Sequence, residues 1–401
     1  MRAAVVGCGL GGMAAALALS RRGVDVTLFE AFQTPAPIGS GLLLQPSGLG
    51  ALATLGLEDE IRAAGARVER LIGRDIAGRR VMDMGYAHWR PGAHGVGIHR
   101  AVLFQTLYDA LAKTGVAIRT GVRIDRIEAI AAPLLIDDAG AAHGPFDVAV
   151  IADGSASHLR TLVRPKAKAP LYPWGAVWAN CADPDGAFDG ALRQVYQRAE
   201  VMIGVLPVGR GPAPGETRMV SLFWSMPRAE LADFHDSDFG IWKARVEALW
   251  PATAPLLASL TSHAGLSPAV YRDVIVGRWC NGGAVLIGDA AHATSPQLGQ
   301  GANLALVDAV ELADALTAGR GSIHRTLIGY QAQRRRHTGL YQLASRALTP
   351  LFQSHGWFWH RLRDLLFTPL SQAPGLRRLA AIVLVGVARI GPAPTRVTDR
   401  P

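Results

Sequence analysis

Two hydrophobic periods alternate along this chain. Short continuous apolar runs at 3–6, 24–29, 147–152 and 284–287 end in glycine or an acid and read as buried strands. Between them, runs at 13–20 and 101–113, one beginning near 302, and 331–348 carry apolar residues at helical spacing. A third group of segments, 172–180, 192–197, 201–207 and 218–225, is rich in β-branched and aromatic residues and predicts the strands of a second sheet. The segments 207–217 and the last ten residues, rich in Pro and Gly, read as loops.

The strand at 284–287 is the most informative. It ends in Gly288-Asp289, a loop with Pro296, Gly299 and Gly301 follows, and a helix begins. One carboxylate thus stands at a strand's C-terminal edge, with a glycine-lined helix N-terminus a short loop later. Such a site suits a polyhydroxylated chain on Asp289 and an electron-rich ring edge on backbone N–H groups. Taken alone, it is equally an ordinary strand-loop-helix.

The first strand runs into Gly7-Cys8-Gly9-Leu10-Gly11-Gly12, which fits G-x-G-x-x-G, and the second ends in Glu30. The first glycine permits a tight turn, the second lets backbone approach a pyrophosphate and the third lets helix pack on strand, while the acid reaches a ribose hydroxyl. The glycines interrupt any secretory hydrophobic region, so the βαβ reading displaces a signal peptide. Asp153-Gly154, followed by serines and Arg160, is common turn chemistry that also suits a pyrophosphate. Arg100 opens a helix, where its charge opposes the dipole, and so calls for a partner outside that helix.

Composition narrows the class. A chain of 401 residues with this apolar content builds one large or two interleaved domains. The net charge of +9 is uneven, because residues 316–401 carry 13 arginines against Asp364 and Asp399. A basic tail on a near-neutral body gives no reason to expect nucleic acid. Cys8, Cys181 and Cys280 are far apart and in no metal-ligand spacing, so neither disulfide nor metal is expected, and a cytoplasmic setting fits.

These motifs, in this order, resemble those of the class A, single-component FAD-dependent aromatic hydroxylases, of the salicylate-hydroxylase-like kind. The resemblance covers about residues 1–345. It implies an α/β fold: a Rossmann-like, GR2-type FAD-binding domain (1–69, 99–165 and 270–345) interleaved with a β-sheet substrate domain (70–98 and 166–269), with a C-terminal helical tail (346–401). It implies that Gly7, Gly9, Leu10 and Gly12 line the FAD pyrophosphate and that Glu30 binds the adenosine ribose. Arg100 would reach the phosphate and ribityl side, and Val122, in a strand over 121–124, would contact adenine. Asp289 would hold the ribityl hydroxyls, Pro296 and Gly299 would lie near the ring, and Gly301, Ala302 and Asn303 would present amides to its pyrimidine edge. Asp153, and with it Arg160, would serve FAD and a passing nicotinamide. The reaction implied is hydroxylation of a small aromatic or lipophilic substrate through a flavin C4a-hydroperoxide, with NADH or NADPH and O2 as co-substrates, by a monomer or homodimer.

The substrate pocket is expected among Leu43, Met202, Trp224 and Leu298, with Tyr196 as the side chain best suited to bind or activate a phenol. Relatives that carry a histidine beyond the Gly39-Ser40-Gly41 region are not matched, because Leu42-Leu43-Leu44 stands there. The pocket therefore reads as apolar, and His292, after Asp289, as packing rather than as a base. Alternatives on the same scaffold are a halogenase or a reductase; Trp174-Gly175-Ala176-Val177-Trp178 does not fit the W-x-W-x-I-P pattern of such halogenases. The run 379–388, beside Arg377 and Arg378, is too short to span a bilayer. It suits a helix packed on the FAD domain or, alternatively, peripheral membrane contact that would go with a quinone-like substrate.

Overall fold

A computed structural model of the chain describes residues 1–37, 39–212, 217–319, 321–370 and 373–389. The apolar runs read above assemble into a six-stranded sheet. From edge to edge it contains Cys280–Asn281, Ala284–Leu286, Val148–Ile151, Arg2–Val6, Asp25–Glu30 and Ala117–Thr120, all parallel except the first. Alternate residues of the central strand serve two cores. Ala3 and Val5 pack with the helices Leu10–Ser20 and Gly301–Ala318, while Ala4 and Val6 pack with Ile124, Ile127 and Leu135 of a three-stranded meander. A sheet covered on both faces requires the unbroken apolar strands that the sequence shows.

The second sheet has nine strands. Along its path lie Ser267–Arg272, Leu171–Ala182, Arg218–Pro227, Val201–Arg210, Gly190–Gln197, Ala66–Asp75, Gly95–His99 and Gly41–Leu44, with Arg80–Gly85 beside Ala66–Asp75. Its pairings place the segment boundaries differently from those expected. Gly41–Leu44 pairs into this sheet from within 1–69, and Ser267–Arg272 straddles 269/270. The division at 345/346 falls inside the helix Ile323–Phe352. Residues 207–210, expected as loop, extend the strand Val201–Arg210, whereas 213–216 and the last ten residues lie outside the described ones. Val122 is in the turn after Ala117–Thr120 rather than in a strand, because the chain breaks pairing at Gly121, whose φ is +70°.

The helices Trp357–Leu370 and Pro374–Leu384 close the structure, the second packing its end against Leu43, Val68, Leu71 and Met82 of the nine-stranded sheet. Its terminal carbonyls, unpaired within a helix, are taken up by the body. Tyr341 Oη donates to the Val383 oxygen (3.1 Å), Gln300 Nε2 to the Leu384 oxygen (2.7 Å) and the Ser47 amide to the Val385 oxygen (3.1 Å). Gly386 follows at φ +84°, and a Cβ there would collide with Ser47 Oγ. The apolar run at 379–388 is thus docked through its backbone. No helix among the described residues is long and apolar enough to cross a membrane.

Candidate active site

The tight turn at Gly7 (φ +103°) is packed against the Ala152 carbonyl, which a Cβ would approach to 2.6 Å. A Cβ on Gly12 would run into the Gly7 oxygen, so this glycine lets the helix Leu10–Ser20 lie against the strand before it. Gly9 is different, for a Cβ there meets nothing within 4 Å and faces open space. Glu30 ends the second strand and accepts from the amides of Cys8 (2.7 Å) and Phe32 (2.9 Å), while the Val122 amide donates to its carbonyl oxygen (2.8 Å). Glu30 and Val122 therefore flank the same end of the sheet as the glycine turn.

The space in front of Gly9 belongs to a cavity of about 660 Å³. Gly9, Leu10 and Gly11 line one end, and Arg100, Gly154, Asp289, Gly301 and Ala302 line its middle. Burial lowers the Arg100 pKa, and the facing Asp289 opposes that shift. Asp289 is thus a charge of opposite sign near Arg100, on the lining of the same cavity. Asp153 keeps its Oδ1 buried with no hydrogen-bond partner, and burial raises its pKa against a hydrogen bond from Ser157. Arg160 is placed otherwise than beside a ligand. It is buried and donates to the carbonyls of Ala290 (2.7 Å) and Ser155 (2.9 Å), fastening the Asp-Gly turn to the Gly-Asp loop.

The Gly-Asp loop is held from beneath. Gly288, at φ +56°, donates its amide to Asp308 Oδ2 (2.8 Å), which also meets His292 Nε2 (2.6 Å). Arg334 Nε donates to Asp308 Oδ1 (2.7 Å). Burial pushes the Asp308 carboxyl up, but the charges of His292 and Arg334 and the Gly288 amide outweigh it and hold the carboxyl well below its usual range. His292 packs on Trp279, with ring centroids 5.2 Å apart, and does not line the cavity. Pro296, Leu298 and Gly299 do line it, and Gly299 takes the left-handed conformation (φ +60°) just before the helix. The amides of Gly301, Ala302 and Asn303 have no acceptor within that helix, by helix geometry. Asn303's side chain accepts from the Gln45 amide (2.8 Å) and donates to the Leu43 carbonyl (3.0 Å), fixing the helix start to the strand Gly41–Leu44.

The far end of the cavity is apolar. Leu43, Met202 and Leu298 line it, with Trp178, Phe223, Leu348 and Phe352. Trp224 does not. It is buried on the opposite face of the strand Arg218–Pro227, edge-on to Trp242 with centroids 6.4 Å apart. Side chains alternate across a strand, so Phe223 and Ser225 face the cavity and Trp224 cannot. Two of the lining rings, those of Tyr196 and Phe223, sit over glycines. A Cβ on Gly73 would come within 2.6 Å of the Tyr196 ring, and one on Gly204 would overlap the Phe223 ring.

Tyr196 lines the cavity but is not built as a base. Burial raises its pKa, Arg363 opposing, and its hydroxyl donates to Gln194 Oε1 (2.8 Å). Tyr271, which no motif pointed to, also lines the cavity. It accepts from Trp178 Nε1 (3.2 Å) and retains its own hydroxyl proton, and burial raises its pKa to about 12. Gln45 and Thr294 also line this space, and their Nε2 and Oγ1 atoms are buried without partners. Among the described lining residues the charged ones are Asp83, Arg100 and Asp289. Asp83 is already paired with Arg70 (2.6 Å) and Arg80 (3.2 Å).

A family model described as an FAD binding domain matches residues 1–340. The chain is 29% identical over 342 residues to an FAD-dependent urate hydroxylase of Klebsiella pneumoniae, covering 83% of this chain and 86% of that protein. It is 26% identical over 378 residues to an aurachin C monooxygenase/isomerase of Stigmatella aurantiaca, covering 92% and 94%. The solved structure of a Klebsiella pneumoniae protein complexed with FAD and uric acid shares the fold, with a TM-score of 0.80, 24% identity and 96% of each chain covered.

Proposed function

This chain belongs to the FAD-binding-domain family, among the class A flavoprotein hydroxylases, and from that premise we propose that it is a monooxygenase that hydroxylates an uncharged aromatic or lipophilic ring. The observation that carries the proposal is one continuous cavity. It runs from the Gly9–Gly11 turn past Arg100 and Asp289 to an apolar chamber walled by Trp178, Phe223 and Met202.

The residues present fit FAD. Open space at Gly9 would admit a pyrophosphate where backbone must approach closely, and Glu30, beside that turn, would take the ribose. The buried, unpartnered Asp153 Oδ1 is an acceptor that the protein itself leaves unsatisfied. Arg100 and Asp289 would hold the phosphate and ribityl portions. The amides at the start of Gly301–Ala318 would face the ring's pyrimidine edge, where a helix N-terminus favours negative charge without a cationic side chain. When bound, FAD supplies hydride acceptance from NADH or NADPH and activation of O2. The balanced reaction takes R–H, O2, NAD(P)H and a proton to R–OH, water and NAD(P)+.

The chain's own part is to seat the ring and exclude water. Phe223, Trp178 and Leu298 give an apolar wall, which protects a reactive oxygen donor from water. Tyr271, with a proton to give, would hold a carbonyl or hydroxyl oxygen of the substrate. Asp83 is paired, Asp289 is an anion and Arg100 would serve the cofactor, so a carboxylate-bearing substrate would find no further cation among the described lining residues. That favours phenols, quinolones and polyketide-like aromatics over benzoates.

The test is consumption of NAD(P)H by the purified flavoprotein, screened against these ring classes, with mass spectrometry of the product. Stimulated oxidation with a product one oxygen atom heavier is expected. A halogenated or reduced product would move the chain to another reaction on the same scaffold, and bound flavin that no nicotinamide reduces would end the proposal.

A further inference from the structure

We propose that the outer face of the last two helices docks on an anionic lipid bilayer, setting the mouth of the cavity against the lipid. The helix Trp357–Leu370 is amphipathic in the inverted sense. Arg363 is 1% exposed, its Nη1 donating to the Arg198 carbonyl (2.7 Å) and its guanidinium 4.8 Å from the centre of the Tyr196 ring. One turn on, Phe367 lines the cavity. At 100° per residue Phe358, Trp359, Leu365 and Leu366 fall on one arc of that helix away from Phe367, while Leu362 packs inward beside Tyr196 and Phe352. Of these, Leu365 is 70% exposed, Phe358 51% and Leu366 46%. A soluble helix normally turns such an arc inward and its arginine outward.

The next helix continues the surface. Leu376 and Leu379 are exposed, at 39% and 56%, and Leu379 also lines the cavity. Leu379 therefore stands at an opening, reached from outside over the same apolar face. The cavity wall behind it, through Ala380, Val383 and Leu384, is apolar as well. Exposed apolar side chains grouped like this mark an interaction surface.

Charge decides between occupants. Residues 357–384 carry Arg361, Arg363, Arg377 and Arg378 against the single acid Asp364, which accepts from Arg363. Arg361 and Arg378 are exposed beside the leucines. A second copy of this chain would bring like charge to like charge, whereas an anionic bilayer is complementary to both the arginines and the apolar arc. The rim aromatics Phe358 and Trp359 suit the headgroup level. Entry of a lipophilic ring from the lipid rests on the proposed hydroxylation; docking itself does not.

The test is co-sedimentation of the FAD-loaded protein with vesicles of phosphatidylglycerol and phosphatidylcholine, against phosphatidylcholine alone, at low and high salt. The expected result is binding to the anionic vesicles that salt weakens, and that Leu365→Asp weakens about tenfold or more. The variant should keep its flavin absorbance. Leu366→Asp, at a second exposed position, gives the same reading should the first variant lose flavin. Wild-type protein left in the supernatant at low salt overturns the proposal, as does binding indifferent to both substitutions. A lipid-free dimer that Leu365→Asp converts to monomer, without vesicle binding, assigns the face to a second copy. None of these readouts needs turnover, so the docking surface and the reaction stand or fall separately.

Discussion

Asp308 and Arg334 form an ion pair of 2.7 Å with neither side chain exposed to solvent, and the carboxylate joins three parts of the site. Its Oδ2 takes the Gly288 amide and meets His292, so the turn that carries Asp289 rests on it. Through Arg334 it reaches His337 Nδ1 (2.7 Å), whose Nε2 donates to the Gly386 carbonyl (2.7 Å) beyond the last helix. One buried network thus sets both the turn that carries Asp289 and the helix that walls the cavity.

Asp308→Ala should be strongly destabilising. It leaves Arg334 charged and buried beside only the more distant Glu311 (3.4 Å), and it strips the Gly288 amide of its acceptor. Breaking a buried pair on one side costs about 3–5 kcal/mol. Urea unfolding should show that loss, and FAD titration of the surviving folded fraction should show weaker binding, because the Asp289 turn is unseated. Unchanged flavin affinity would mean that the turn holds its shape without Asp308.

His337 makes stability depend on pH. Burial, reinforced by Arg334 and Arg389, pushes its pKa down to about 3. The unfolded chain takes up a proton near the ordinary value of about 6.5, while the folded chain refuses it, so the stabilisation is complete above that value and is lost as pH falls toward 3. Between pH 6.5 and 5 the loss is about 2 kcal/mol. His337→Gln should flatten this part of the profile in denaturant titrations of the two proteins. A wild-type curve as flat as the variant's would show that the imidazole is protonated in the fold.

What the sequence made legible was local. The turn Gly7–Gly12 with Glu30, and Asp289 with the helix after it, are each contained in about 25 residues, and a glycine between strand and helix has few structural meanings. The phase of a buried strand is not local. Ser221 and Ser225 share a face with Phe223, but both faces of this strand are buried, so the serines do not mark a solvent side, and the smaller aromatic rather than the larger one faces the cavity. Tyr271 and the cavity-lining end of Pro374–Leu384 belong to segments far apart in sequence, and only tertiary packing brings them together. Arg363 is harder still, since an arginine among leucines and aromatics reads as the exposed side of its helix, and the structure buries it against Tyr196.

Gly9 and Gly12 should respond differently to the same methyl group. At Gly9 the added carbon meets nothing within 4 Å, so Gly9→Ala should fold with the stability of the apoprotein nearly unchanged. It places the methyl where the pyrophosphate would approach, and FAD affinity should fall by about a hundredfold, the equivalent of ~3 kcal/mol. Gly12→Ala drives the carbon into the Gly7 carbonyl and should cost the apoprotein a few kcal/mol before any ligand is added. Thermal unfolding of both apoproteins, followed by flavin titration, separates the two. Full FAD affinity in Gly9→Ala would remove the pyrophosphate from that turn.

Phe223 and Trp224, neighbours on one strand, should divide specificity from stability. Phe223 lines the cavity, its ring seated over Gly204, and truncation to alanine enlarges the chamber. Phe223→Ala should therefore raise KM for the preferred ring and admit bulkier ones, with more nicotinamide oxidised without product because water enters. Trp224 packs against Trp242, Val177 and Ile203 behind the sheet, so Trp224→Ala should cost about 3–5 kcal/mol of stability as a core cavity. At temperatures where Trp224→Ala remains folded, its KM and its ratio of product to nicotinamide should match the wild type. Steady-state kinetics beside thermal unfolding reads both effects. A specificity change in Trp224→Ala that equals the one in Phe223→Ala would mean that the strand presents its other face to the substrate.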